Sequence, residues 1–260
     1  MRRFFIALTL LTLVGCATSP TAPPKDKELS RTSDLARAAF EDGATAKAID
    51  LYGKALNRAY AMDDATEIGN AAYNLALCHI ILGQLDQASA LLAEAKAAFK
   101  RSGSNPADVP LLEATIAQRQ GRLEQALSLA DQVLSASSDE SHRFQAALLK
   151  GTIACQQDDP ARARTALVEA DKHHIANAPL LAARERLAGN IFLLERSPAE
   201  AAAAFDRAAA LFQKAKHYRD MALTLRRAGE AYREAGDTQR AEDRLFRAKR
   251  SLAAQGEKAE

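Results

Sequence analysis

A pair of small residues twelve positions apart recurs six times along this chain. Ala36 pairs with Ala48, Ala76 with Ala88 and Ala114 with Ala126. Gly151 then pairs with Ala163, Gly189 with Ala201 and Gly229 with Ala241. The second members are spaced 40, 38, 37, 38 and 40 residues apart. A fixed period of this size means that one supersecondary unit is repeated, and that no single unit can bury its apolar face alone. Composition indicates what the unit is made of. Of the 260 residues 58 are Ala, none is Trp, and aromatics make up 5%. Ala combines the highest helix propensity with the smallest apolar side chain. The units therefore read as pairs of closely packed helices.

Further columns keep the same phase. Four residues after each second member come Tyr52, Leu92, Ala130, Leu167, Phe205 and Leu245. Seven after it come Ala55, Ala95, Val133, Ala170, Ala208 and Ala248. Five before it come Gly43, Gly83, Gly121 and Gly236, with Asp158 and Arg196 as exceptions. Gly at that point ends the first helix and takes a left-handed conformation. At the two exceptions, Asp159-Pro160 and Ser197-Pro198 place a capping residue before Pro at the first helical position. Ser197 to Glu200 also has the spacing of a capping box.

These columns resemble the tetratricopeptide repeat over about residues 30–254. The resemblance implies an all-α fold, a right-handed α-solenoid of about six helical hairpins. The period exceeds the family's usual 34 or so residues, so helices or turns must be longer. Pro110 shortens the first helix of the third repeat, and Ala130 leaves its packing the weakest. Arg240, Asp243, Arg244, Arg247 and Arg250 on the last helix read as a charged face that keeps the open end soluble.

The N-terminus carries a different signal. Arg2-Arg3 precedes an apolar run from Phe4 to Val14, too short to span a bilayer. This is the layout of a secretory signal peptide, here residues 1–15, expected to be removed. Leu13-Val14-Gly15-Cys16 resembles the bacterial lipobox, which implies acylation of Cys16, palmitate included, and cleavage before it. Ala17 stands where an Asp would favour inner-membrane retention, so the resemblance implies an outer-membrane anchor facing the periplasm. Residues 16–29 read as the lipidated Cys and a polar, Pro-containing tether, and residues 255–260 as a disordered tail.

Charge and chemistry narrow the function classes. Removing Arg2 and Arg3 from 35 basic residues leaves 33 against 33 acidic ones. That balance argues against a nucleic-acid role and leaves the lipid as the only membrane contact. There is no phosphate loop, dinucleotide fingerprint or metalloprotease motif, and no catalytic residue, metal ligand set or cofactor is expected. Cys78 and Cys155 fall in different repeats and read as buried free thiols. His173-His174 read as favourable charge at a helix C-terminus.

The resemblance implies a concave groove lined by first helices and protein or peptide partners, which the sequence does not identify. Toward the N-terminus its inner positions are Tyr73, Asn74, Leu77, Ile80 and Ile81. Toward the C-terminus they are Arg186, Asn190, Arg226, Arg227, Glu230 and Arg233. Arg186, Asn190 and Arg227 are similar to part of the clamp that some family members use on a peptide carboxylate; a solvated face with an Arg226–Glu230 pair is the competing reading. Function is expected to be that of an envelope, secretion or pilus scaffold. The alternatives are a lipoprotein holding a peptide, glycan or small molecule in its groove and, more remotely, an enzyme. Replacing Cys16→Ser should abolish metabolic acyl labelling and leave the protein extractable without detergent; continued labelling would refute the anchor.

Overall fold

The computed structural model describes residues 26–104, 106 and 108–255. Cys16, the signal segment, most of the tether and residues 256–260 lie outside them. Twelve α-helices and no strand occur among the described residues. They form six hairpins: α1 (Lys27–Glu41) with α2 (Thr45–Ala61), α3 (Ala65–Ile81) with α4 (Leu85–Arg101), α5 (Val109–Arg119) with α6 (Leu123–Ala136). α7 (Glu140–Gln156) then pairs with α8 (Pro160–Ala170), α9 (Ala178–Leu194) with α10 (Pro198–Lys214), and α11 (Tyr218–Glu234) with α12 (Thr238–Ala254). The chain is a tetratricopeptide-like helical solenoid.

The repeat columns become the crossing points of the hairpins. Ala36, Ala48, Ala76, Ala88, Ala114 and Ala126 are all fully buried. So are Ala163 and Ala201, with Ala241 nearly so. In the later repeats Gly takes the first place in the pair because a large side chain lies across it. A Cβ on Gly189 would come within 2.6 Å of the Phe205 ring, and one on Gly229 within 2.7 Å of Leu245 Cγ. Both partners come from the column four residues after the second small residue. Gly151 faces Leu187 of the next repeat in the same way.

The extra length of the period goes into helices, many of which reach 17 residues. The turns stay tight. Gly43, Gly83, Gly121 and Gly236 have φ between 73° and 82°, and the following residue donates back to a carbonyl five positions earlier, as Ala44 does to Ala39 at 2.8 Å. The two exceptions do not use a different turn. Asp158 (φ 55°) and Arg196 (φ 59°) adopt the same left-handed geometry, and Asp159 N–H reaches the Ala154 carbonyl at 2.9 Å. The expected capping is added to this turn only in part. Asp159 caps the Arg162 amide at 2.9 Å, whereas the Ser197 side chain makes no capping hydrogen bond, contrary to its capping-box spacing.

Other expectations need correction. The first helix starts at Lys27, not residue 30, because Asp26 caps the Leu29 amide and is itself held by Arg58 at 2.7 Å. Asp26 thereby has its carboxyl held below the usual range, chiefly by that Arg58 contact. Arg244 does not decorate the open end: it turns back to Asp206 on α10 through Nε at 2.7 Å and Nη2 at 3.0 Å. His173 lies beyond the end of α8, is buried, and meets Glu140 at the start of α7 with its Nδ1 at 3.0 Å. It ties the loop after α8 to the start of α7. As Pro110 implies, α5 is short, at 11 residues. The buried core also divides there. One large cluster ends at Leu112 and Ile116, and Ala130 belongs to a small separate one.

The crossing geometry gives a paired test. Gly189→Ala should lower the urea midpoint by the equivalent of about 1–3 kcal/mol, the usual cost of overpacking. Gly53→Ala in α2, where a Cβ meets nothing within 4 Å, should raise it by up to about 1 kcal/mol. Equal effects of the two would refute the close crossing.

Candidate functional site

The first helices of successive hairpins form the inner face of the stack. Its middle holds a pocket of about 240 Å³ between α5, α7 and α9, lined by Leu111, Thr115, Leu148, Leu149, Thr152 and Asn190, with Arg186 at its edge. None of the first five was singled out from sequence. The signal was available: they occupy, in repeats three and four, the same inner positions that point to Tyr73, Asn74 and Leu77 in repeat two.

The N-terminal candidates are less open than expected. Tyr73 is half-buried, and burial followed by the neighbouring Asp108 carboxylate pushes its phenol pKa well up. Asn74 spends its side-chain amide on the Asn70 carbonyl at 2.8 Å within α3. Leu77 is half-buried against the core. Ile80 is buried, only 5% exposed, so it does not line the groove; Ile81 does remain exposed. The apolar part of the inner face is therefore centred on α5 and α7 and not on α3.

The C-terminal candidates do come together. Arg227 on α11 donates through Nη2 to Asn190 Oδ1 on α9 at 3.0 Å, which joins two members of the proposed clamp. The third, Arg186, approaches Asp220 at 3.7 Å. Both guanidiniums lie over aromatic rings: Arg186 is 5.7 Å from the Phe212 centroid and Arg227 is 5.2 Å from that of Phe205. Such stacking fixes the plane of the guanidinium and leaves its edge free to donate. The expected Arg226–Glu230 pair does not form; Glu230 lies 3.8 Å from Arg227. Arg226 and Arg233 are exposed and make no ion pair among the described residues.

One more arginine joins this group across the curve of the stack. Arg119 at the end of α5 donates to the Ile80 carbonyl of α3 at 2.8 Å. Its pKa is lowered first by burial, then by the positive charge of Arg186, with Arg219 adding to this and Asp220 opposing it. A side chain of the third repeat thus shares an electrostatic environment with side chains of the fifth and sixth.

The opposite face has a larger depression, about 530 Å³, between second helices α6 and α8 and floored by Ala147 and Ala154 of α7. Its charges are paired locally, as with Lys150 and Asp131 at 2.7 Å. Among the described residues, no group of three or more His, Cys, Asp or Glu side chains is placed to hold a metal ion, and no helix is long and apolar enough to cross a membrane.

No protein-family model and no curated protein matches the sequence. Solved structures do share the fold. PilW, a widely conserved type IV pilus biogenesis factor, is 15% identical with a TM-score of 0.58 over 89% of this chain and 95% of that one. The apo form of the quorum sensor NprR from B. thuringiensis has a TM-score of 0.63 at 10% identity, over 89% of this chain and 67% of that one. A signal transduction ATPase from Pyrococcus horikoshii with a tetratricopeptide repeat sensor has a TM-score of 0.56 at 15% identity, over 88% of this chain and 39% of its own.

Both remaining cysteines are free thiols. Cys78 is buried as expected, whereas Cys155 is only half-buried. Burial pushes each thiol up to about 11. The thiolate is the reactive form, so at pH 8 both should alkylate slowly with iodoacetamide. The rate should climb as pH rises toward 11, and urea should abolish the protection. Fast labelling at pH 8 in the native protein would contradict this environment.

Proposed function

We propose that this protein is a lipid-anchored periplasmic scaffold of tetratricopeptide type. It binds other proteins through the inner face of its helical stack, in the assembly of an envelope, secretion or pilus complex. The observation that carries the binding claim is the inner face itself. Three successive first helices, α5, α7 and α9, share one leucine-lined pocket, and the face continues onto α11 through the Arg227–Asn190 bond. A surface built this way presents hydrophobic contact and spare hydrogen-bond donors along a line, which suits an extended segment of another chain. At about 240 Å³ the pocket lies below the range of roughly 300–1,000 Å³ usual for small-molecule sites, which favours a peptide segment over a compact ligand.

The anchor and the location rest on Leu13-Val14-Gly15-Cys16 and on Ala17. Two or three acyl chains at Cys16 would hold the stack at the membrane surface stably, where one would not. The similarity in fold to PilW over nearly all of that chain supports an assembly role.

Photo-crosslinking in cells from a reactive amino acid at Thr115 or Asn190 tests this reading. Discrete protein adducts should form, in an outer-membrane fraction. The neutral, bulky pair Thr115→Gln and Thr152→Gln should suppress adducts formed from Asn190. Val168→Glu, at an exposed position on α8, should not. Adducts that survive the groove-filling pair but vanish with Val168→Glu would move the binding site to the outer face and overturn the proposal.

A further inference from the structure

We infer that the segment bound in the groove is acidic as well as aliphatic: its carboxylate side chains lie on the arginines of α9 and α11, and its aliphatic side chains enter the pocket between α5, α7 and α9. This rests on the groove reading above and adds the chemistry of the partner to it.

The groove arginines are loosely paired. Several arginines elsewhere are held at hydrogen-bond distance, though not all: Arg162 stands 3.8 Å from Asp159. Arg164 clasps Glu195 with two nitrogens. Arg184 holds Asp171 at 2.7 and 3.0 Å, Arg207 holds Glu185 at 2.7 Å, and Arg244 holds Asp206. On the inner face none of Arg186, Arg226, Arg227 and Arg233 has a carboxylate at hydrogen-bond distance among the described residues. Arg186 and Arg227 stand 3.7 and 3.8 Å from their carboxylates, beyond good hydrogen-bond length. Arg226 and Arg233 have no ion pair among the described residues.

The carboxylates on this stretch, Asp220, Glu230 and Glu234, are too few for Arg119, Arg186, Arg226, Arg227 and Arg233. These guanidiniums keep donors that no carboxylate among the described residues takes. Stacking on Phe205 and Phe212 already fixes two of the guanidiniums, so a carboxylate that arrives there finds donors in place. The face changes character along its length: Leu111, Leu148 and Leu149 lie on α5 and α7, and the arginines follow on α9 and α11. Charge complementarity therefore selects an acidic segment with leucine-like side chains beside its acids.

The test is a titration of the full-length protein in detergent with fluorescent peptides whose ends are acetylated and amidated. One peptide alternates Leu and Glu; the other carries Gln in place of each Glu. The Glu peptide should bind at least about tenfold more tightly, roughly 1.4 kcal/mol, and the advantage should shrink as salt rises. Arg226→Glu with Arg233→Glu should remove the advantage; neither residue has an ion pair to lose, so the fold should be unaffected. Thr115→Gln with Thr152→Gln should weaken both peptides alike. Equal binding of the two peptides, no binding of the Glu peptide, or an advantage that survives the double reversal would each overturn the inference. So would a large further gain from leaving the C-terminus free, since that assigns the arginines to a terminal carboxylate. Loss of cellular adducts in the groove-filled protein together with equal peptide binding would leave the groove reading standing and remove only the acidic chemistry.

Discussion

Two helices can approach closely only where neither carries a side chain of any size at the crossing. Here that condition is met once per hairpin, by Ala or Gly on the first helix and Ala on the second. Everything else in the stack is arranged around those points. The tight left-handed turns put the two small residues level with each other. The large residue one turn further along the second helix fills the space that the crossing leaves open. Where that residue is Phe205 or Leu245, even an Ala on the first helix is too big, and Gly189 and Gly229 take its place. A hairpin made this way has an apolar side but no core of its own, so the core is assembled only by stacking.

The crossing also sets up the inner face. Phe205 fits against Gly189 on one side, and the guanidinium of Arg227 covers it on the other. Arg227 then reaches Asn190, the residue after Gly189, at 3.0 Å. The position of a groove arginine is thus determined by how closely α9 and α10 pack, two contacts away. Phe212 carries Arg186 in a similar way from the end of α10. The same aromatic rings pack the hairpin and carry the inner arginines. A substitution that loosened this hairpin would therefore misplace the arginines before it unfolded anything. Repeat three shows the converse. Its fourth column is Ala130, with no ring to fill the space, and the core there divides into small clusters.

The fold was legible because its determinant is periodic. With 58 Ala and 12 Gly in 260 residues, small-residue coincidences are cheap, but six repeats in phase across several columns are not, and the crossing residues found in the structure are those named from the sequence. The turn at Arg196 was harder to read. Its left-handed conformation comes from the hydrogen bond of Ser197 N–H to the Phe192 carbonyl at 2.9 Å, which the hairpin geometry demands whatever the residue. The groove was half legible. Inner positions follow from the repeat phase, and Asn190 and Arg227 meet, whereas Arg186 turns to Asp220. Whether an inner residue is open depends on contacts from other repeats, which phase alone does not carry. Ile80 is covered and its carbonyl taken by Arg119, 39 residues away. Tyr73 is drawn to Asp108. Arg226 and Arg227 are adjacent in sequence, and only the register of α11 on α9 decides which one meets Asn190.

The sixth hairpin is tied to the fifth by a charged cluster. Here Arg244 of α12 makes a two-nitrogen contact with Asp206 of α10, and the Tyr232 hydroxyl of α11 donates to the same carboxylate at 2.8 Å. Arg240 and Arg244 both lie over the Tyr232 ring. One carboxylate thereby joins three helices, on the outer side of the hairpin whose inner side carries Arg226, Arg227 and Arg233. The cluster at Asp206 fixes α11 against α10, and with it the helix that carries the inner arginines. A hairpin held rigid in this way would reduce the ordering that the proposed acidic segment has to impose.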